Sequence, residues 1–108
     1  CVVVTLGARG CCARRGAEFF LQSGFKVQAV DTTAAGDTFC GALVAAMNLG
    51  DALPEALRYA CAASALACTR LGAQSSIPQA AEVRDFMAQQ PLPHAESESA
   101  LRAFCGLT

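Results

Sequence analysis

The chain has 108 residues, room for one small domain. Eight basic against nine acidic residues leave a net charge of −1, which disfavours a nucleic-acid binder held by phosphate neutralisation. A hydrophobic fraction of 54% with only 16% charged residues excludes a disordered chain. So apolar a sequence expects a partner surface, another subunit or more of its own chain.

Position 1 is Cys, not Met, so the chain reads as processed or cut from something longer. No apolar run reaches the roughly 18 residues of a membrane-spanning helix, and no basic leader precedes Val2-Val3-Val4. Neither a transmembrane helix nor a signal peptide is expected. The seven cysteines stand at 1, 11, 12, 40, 61, 68 and 105, with no CxxC pair among them. The one His, His94, lies in a polar Pro-containing stretch, so a zinc site is not expected. Cys61 and Cys68 read as free thiols on a buried helix face, which points to a reducing compartment and a cytoplasmic location.

In chain order, residues 1–6 predict a short buried strand rich in Val, and Gly7-Ala8-Arg9-Gly10 a turn. Residues 11–21 accommodate two short strands around Arg14-Arg15-Gly16, with the two Arg in a solvated turn and Phe19-Phe20 in the core or covering a neighbour. Lys26-Val27-Gln28-Ala29-Val30 alternates as a half-buried strand does. From about Ala35 the pattern becomes helical, with Phe39, Leu43, Ala46 and Met47 on one face and Gly50 as the stop. Pro54 suits the first turn of a second, Ala-rich helix reaching to Leu71, before Gly72. A third helix is predicted over Gln79–Gln90, between Pro78 and Pro91. Residues 91–108 read as a tail with at most a short amphipathic turn. Strands followed by helices make this one part of an α/β domain, with sheet edges that need covering.

The chemistry concentrates where the strand ending at Asp31 gives way to the helix. The first backbone N–H groups of a helix lack intrahelical partners, and with the helix dipole they make an anion site. Ala34, Ala35 and Gly36 carry no bulk that would keep a phosphate from the backbone. Asp37, in the first turn, has two readings. It is either a general base for a hydroxyl attacking a γ-phosphate, or simply a carboxylate stabilising the helix N-terminus. Neither a GxxxxGK[ST] loop nor a GxGxxG motif is present, and Gly7-Ala8-Arg9-Gly10 alone signifies no more than a turn.

Asp31-Thr32-Thr33-Ala34-Ala35-Gly36-Asp37-Thr38-Phe39 resembles the second signature of the ribokinase-like (PfkB) carbohydrate kinases. Val4 to Gly10, Gly24 to Val30 and Thr69 to Pro78 follow the same family in order and spacing. The resemblance covers residues 1–90 and stops short of 91–108. It implies an α/β fold, the C-terminal nucleotide-binding part of a three-layer α/β/α architecture whose N-terminal strands and lid are absent here. It implies ATP-dependent phosphorylation of a sugar's primary hydroxyl. D-ribose is the expected sugar, on the strength of the Val27–Phe39 run and the Gly72–Pro78 ending; a fructokinase or a 2-keto-3-deoxygluconate kinase is the alternative.

By the same resemblance Asp37 is the catalytic base, and Ala34, Ala35 and Gly36 form the anion hole. Thr5, Leu6, Gly7, Ala8, Arg9 and Gly10 line the nucleotide, and Cys61 stands beside the adenine. Asp31, Thr33, Ala67, Arg70, Gly72 and Ser76 are the implied ligands of a monovalent cation, potassium, while magnesium accompanies the ATP. A cation there would strengthen the anion hole and offset the repulsion from Asp37. Cys40 replaces an Asn common in the family. The family's chains are much longer. Their Gly-Gly signature, most sugar contacts and the lid through which the enzymes commonly form homodimers lie outside these residues. The chain by itself is therefore expected not to phosphorylate ribose at a useful rate, and a non-catalytic nucleotide-binding piece stands as the second class of function.

Overall fold

The computed structural model describes residues 2–6, 9–25, 27, 35–69 and 79–89. Three strands, β1 (Val2–Thr5), β2 (Gly10–Arg15) and β3 (Glu18–Ser23), form an antiparallel sheet in the order β1-β2-β3. Three helices follow: α1 (Ala35–Asn48), α2 (Leu53–Cys68) and α3 (Ala80–Gln89). The strand expected over Lys26–Val30 lies outside the described residues apart from Val27.

Two turns set the sheet's register. Leu6 N–H donates to the Gly10 carbonyl (2.8 Å) and Arg9 N–H to the Leu6 carbonyl (3.2 Å), closing the β1–β2 connection. Gly10 leaves that turn at φ +115°, and a Cβ there would run into the Gln22 carbonyl and lie 2.6 Å from Gly24 N. Only glycine fits both the conformation and the space. Gly16, at φ +64°, makes the second turn. In this register Val3 faces Ala13 and Thr5 faces Cys11, while Cys11 pairs with Gln22 and Ala13 with Phe20.

Alternation then divides the sheet into two faces. Val3, Cys11, Ala13 and Phe20 point toward the helices and join one core cluster with Phe39, Leu53, Leu57, Ala60 and Cys61. Val2, Val4 and Phe19 take the opposite face and are 64%, 46% and 54% exposed. The expectation that residues 1–6 form a buried strand is thus corrected. Among the described residues β1 is an edge strand, and only its Val3 meets the core, because no described element covers the outer face. Arg14 and Arg15 are exposed, as expected. They end β2 rather than form the turn, and their guanidinium groups lie 5.5 Å from the rings of Phe19 and Phe20. Such contacts are worth about 0.5–1 kcal/mol each at exposed sites.

The helices keep their expected order. α1 ends where Gly50 takes φ +92°; Gly50 N–H reaches the Met47 carbonyl and Asp51 N–H the Ala46 carbonyl, a Schellman closure. Of the apolar face expected on α1, Phe39 and Ala46 are buried and Leu43 is half-buried, but Met47 is exposed at its border. α2 starts with Pro54 in its first turn and stops at Cys68, three residues before the predicted end. There the Thr69 hydroxyl donates to the Leu66 carbonyl at 2.7 Å and competes with continuation of the helix. Its alanines allow close approach on two sides. One side meets α1 and the sheet, and the other meets α3 through Ala62, Ala63 and Val83. Phe25, just after the sheet, packs edge-on against Phe86 of α3 at 5.5 Å. No helix among the described residues is long and apolar enough to cross a membrane.

Candidate active site

The candidate site is built on the N-terminal end of α1. A run of tiny residues and a helix-opening Asp start the helix at Ala35, and Phe39 fixes it. Phe39 is 4% exposed and sits in the same cluster as Cys11 of β2 and Cys61 of α2. One aromatic side chain, two positions after Asp37, therefore ties three expected site segments to a common core: the end of the β1–β2 turn, the start of α1 and the middle of α2. A second tie comes from Ser64 of α2, whose Oγ donates to the Ala35 carbonyl at 3.2 Å. Ser64 was not singled out in the sequence; a lone hydroxyl within an alanine run was its only signal.

With its base held this way, the first turn is open on the outside. Gly36 and Asp37 are exposed, and a Cβ added at Gly36 would meet nothing within 4 Å. Backbone N–H groups at a helix end can receive an anion, and Asp37 is exposed in the same turn. Thr38 adds an unusual feature. It is buried, and among the described residues its Oγ1 has no hydrogen-bond partner. An unpaired buried hydroxyl costs stability, so this first turn carries polar capacity that the described residues do not use.

The other expected site residues divide into two groups. Thr5 and Arg9 are exposed, Leu6 is half-buried and Gly10 is buried, all in the β1–β2 connection. Ala67 is buried in the last turn of α2, where helix carbonyls carry partial negative charge suited to a cation. Cys61 is buried, and its Sγ lies 3.6 Å from Cys11 Sγ. Gly7, Ala8, Asp31, Thr33, Ala34, Arg70, Gly72 and Ser76 lie outside the described residues. The exposed first turn, with small Gly36 at the helix end, leaves room for a phosphate-bearing nucleotide. Of the implied cation ligands, Ala67 is the one within the described residues.

A family model described as pfkB family carbohydrate kinase matches residues 1–80. A ribokinase from Haemophilus influenzae is 46% identical over 86 residues, covering 80% of this chain and 28% of that protein. Fructokinase-2 from Solanum habrochaites is 40% identical over 88 residues, covering 75% of this chain and 27% of that one. Among solved structures, an Arabidopsis thaliana ribokinase complexed with ribose and ATP superposes with a TM-score of 0.77 at 37% identity, covering 82% of this chain and 29% of that one. The chain thus spans under a third of the length of the relatives it matches. It belongs to the pfkB family of carbohydrate kinases and has a partial ribokinase-like α/β fold.

Proposed function

Within that family, we propose that this chain carries the nucleotide side and the catalytic base of a kinase that moves the γ-phosphoryl group of ATP to a sugar's primary hydroxyl. D-ribose is the proposed sugar and D-ribose 5-phosphate the product. The observation that carries this reading is Asp37, exposed in the first turn of a helix whose end is open at Gly36 and anchored by Phe39 and Ser64. A carboxylate beside an anion site repels phosphate, and general-base work gives it a reason to be there.

In the proposed reaction Asp37 accepts the proton of the sugar hydroxyl. The hydroxyl oxygen forms its bond to the γ-phosphorus as the bond from that phosphorus to the bridging oxygen of ADP breaks. The backbone N–H groups of Ala34, Ala35 and Gly36 hold the charge on the phosphoryl oxygens. Thr5 to Gly10 and Cys61 border the nucleotide. Magnesium, bound with ATP, neutralises the phosphates' charge. Asp31, Thr33, Ala67, Arg70, Gly72 and Ser76 would hold a potassium ion, which would reinforce the anion hole. The sugar-reading contacts come from chain outside these 108 residues, so this chain by itself binds nucleotide without useful turnover of ribose.

The similarity to a fructokinase supports a second reading, in which the sugar is a ketose. A coupled ADP-release assay on the full-length kinase, with ribose, fructose and 2-keto-3-deoxygluconate in parallel, separates the two. The highest kcat/KM falls on ribose under the first reading and on fructose under the second. Turnover with none of the three overturns both.

A further inference from the structure

We propose that Cys11 and Cys61 form a reversible intramolecular disulfide, a redox modification site that joins β2 to α2. The inference stands first on the geometry of the pair. The two thiols are 50 residues apart in sequence, and their Sγ atoms are 3.6 Å apart in the core. Closing to a disulfide bond requires an approach of only about 1.6 Å.

The surroundings select this pair. Cys11 lies on the helix-facing side of the central strand, opposite Thr5 and Gln22. Its neighbour Cys12 alternates to the other face, opposite Val4 and Leu21, and so is turned away from α2. Cys68 stands two turns further along α2, about 10 Å up the helix. Cys40 is exposed on α1. Cys61 is 6% exposed and Cys11 is fully buried. The hydrogen bond between the two thiols, in which either can donate, favours the thiolate of Cys11 and lowers its pKa, while the same bond and burial push the Cys61 thiol up. Cys11 is thus the nucleophile of the pair and Cys61 the proton-bearing partner.

With a peroxide as oxidant, the Cys11 thiolate attacks one peroxide oxygen. The O–O bond breaks, leaving Cys11 as a sulfenic acid, and the departing hydroxide takes a proton to become water. The Cys61 sulfur then attacks the sulfenic sulfur. The S–S bond forms, the S–O bond breaks, and the hydroxyl leaves as a second water with the Cys61 proton. Two thiols lose two electrons and two protons, and one peroxide becomes two waters. A dithiol reductant reverses the step by exchange. Because Cys11 is fully buried, a local parting of β2 from α2 must admit the oxidant, so the pair oxidises more slowly than the exposed Cys40.

The test treats the folded protein with hydrogen peroxide, blocks remaining thiols with an alkylating agent in denaturant, and maps the linked peptides by mass spectrometry. The expected result is a Cys11–Cys61 link that disappears with dithiothreitol. It should be roughly tenfold or more enriched over protein oxidised in guanidinium, where cysteines pair without native geometry. The oxidised protein should also melt at a higher temperature, and the shift should vanish in Cys61→Ala and persist in Cys40→Ala. The proposal is overturned if Cys11 and Cys61 are recovered alkylated while Cys40 is oxidised. It is equally overturned if Cys61 is linked to Cys12 or Cys68, or if native and denatured protein give the same links. The peptide map of the unaltered protein decides these outcomes even if Cys61→Ala fails to fold.

Discussion

α1 and α2 are neighbours of similar length and similar alanine-rich composition, yet they do opposite jobs. α2 buries nine of its sixteen residues, on two sides. α1 buries three of fourteen, Thr38, Phe39 and Ala46, and leaves Val44 and Met47 exposed, with Leu49 exposed just beyond its end. α2 is the beam on which the sheet, α1 and α3 rest. α1 is held at its N-terminal end by Phe39 and Ser64, and its first turn faces out with the proposed base, Asp37, on it. Composition does not separate a structural helix from a site-bearing one; what separates them is which residues find partners. The apolar residues left open on α1 belong to a chain spanning under a third of its relatives' length.

The comparison breaks most sharply at Asp37. Asp37→Asn in the full-length kinase should lower kcat by about 10²–10⁴-fold, with nucleotide affinity held or tightened as a negative charge leaves the anion site. A coupled assay and a nucleotide titration on the same variant check both halves. If kcat stays within a factor of a few of the parent, Asp37 is only a helix-end charge.

On α2 the expected effect falls on stability. Leu57 is 1% exposed at the centre of the core, and Leu57→Ala should cost about 2–5 kcal/mol in urea unfolding. Ser64→Ala removes the hydrogen bond that ties α2 to the Ala35 carbonyl at the start of α1. It should cost about 1 kcal/mol, and it should weaken nucleotide binding as well if the proposed site is right, since the donor holds that end of α1. Val44→Ser, on the open face of α1, should change stability by no more than about 0.5 kcal/mol in this chain. A larger loss there would mean that α1 is packed on both faces, and the contrast with α2 would fail.

Much of this was legible in the sequence. Gly50, Pro54 and the two Gly turns bounded the elements correctly, because each acts through local backbone geometry. Asp31 to Phe39 pointed to the family, which the match over residues 1–80 bears out. What the sequence did not disclose depends on distant partners. The Val run of β1 reads as buried by composition, but whether a valine is covered depends on what lies across the sheet, and Val2 and Val4 have nothing described there. The thiol pair of Cys11 and Cys61 spans 50 residues and appears only once β2 is laid on α2. The end of α2 shifted because Thr69 turns its hydroxyl back on the helix, a local competition that the alanine pattern overrode in the reading.

The most direct test of the account is calorimetric titration of the chain with magnesium–ATP, in potassium and then in sodium buffer, with circular dichroism to verify the fold. Saturable binding that tightens in potassium, and that survives Asp37→Asn, is the predicted result. A folded chain that takes up no ATP in either buffer would contradict the assignment of the α1 N-terminus as the nucleotide site.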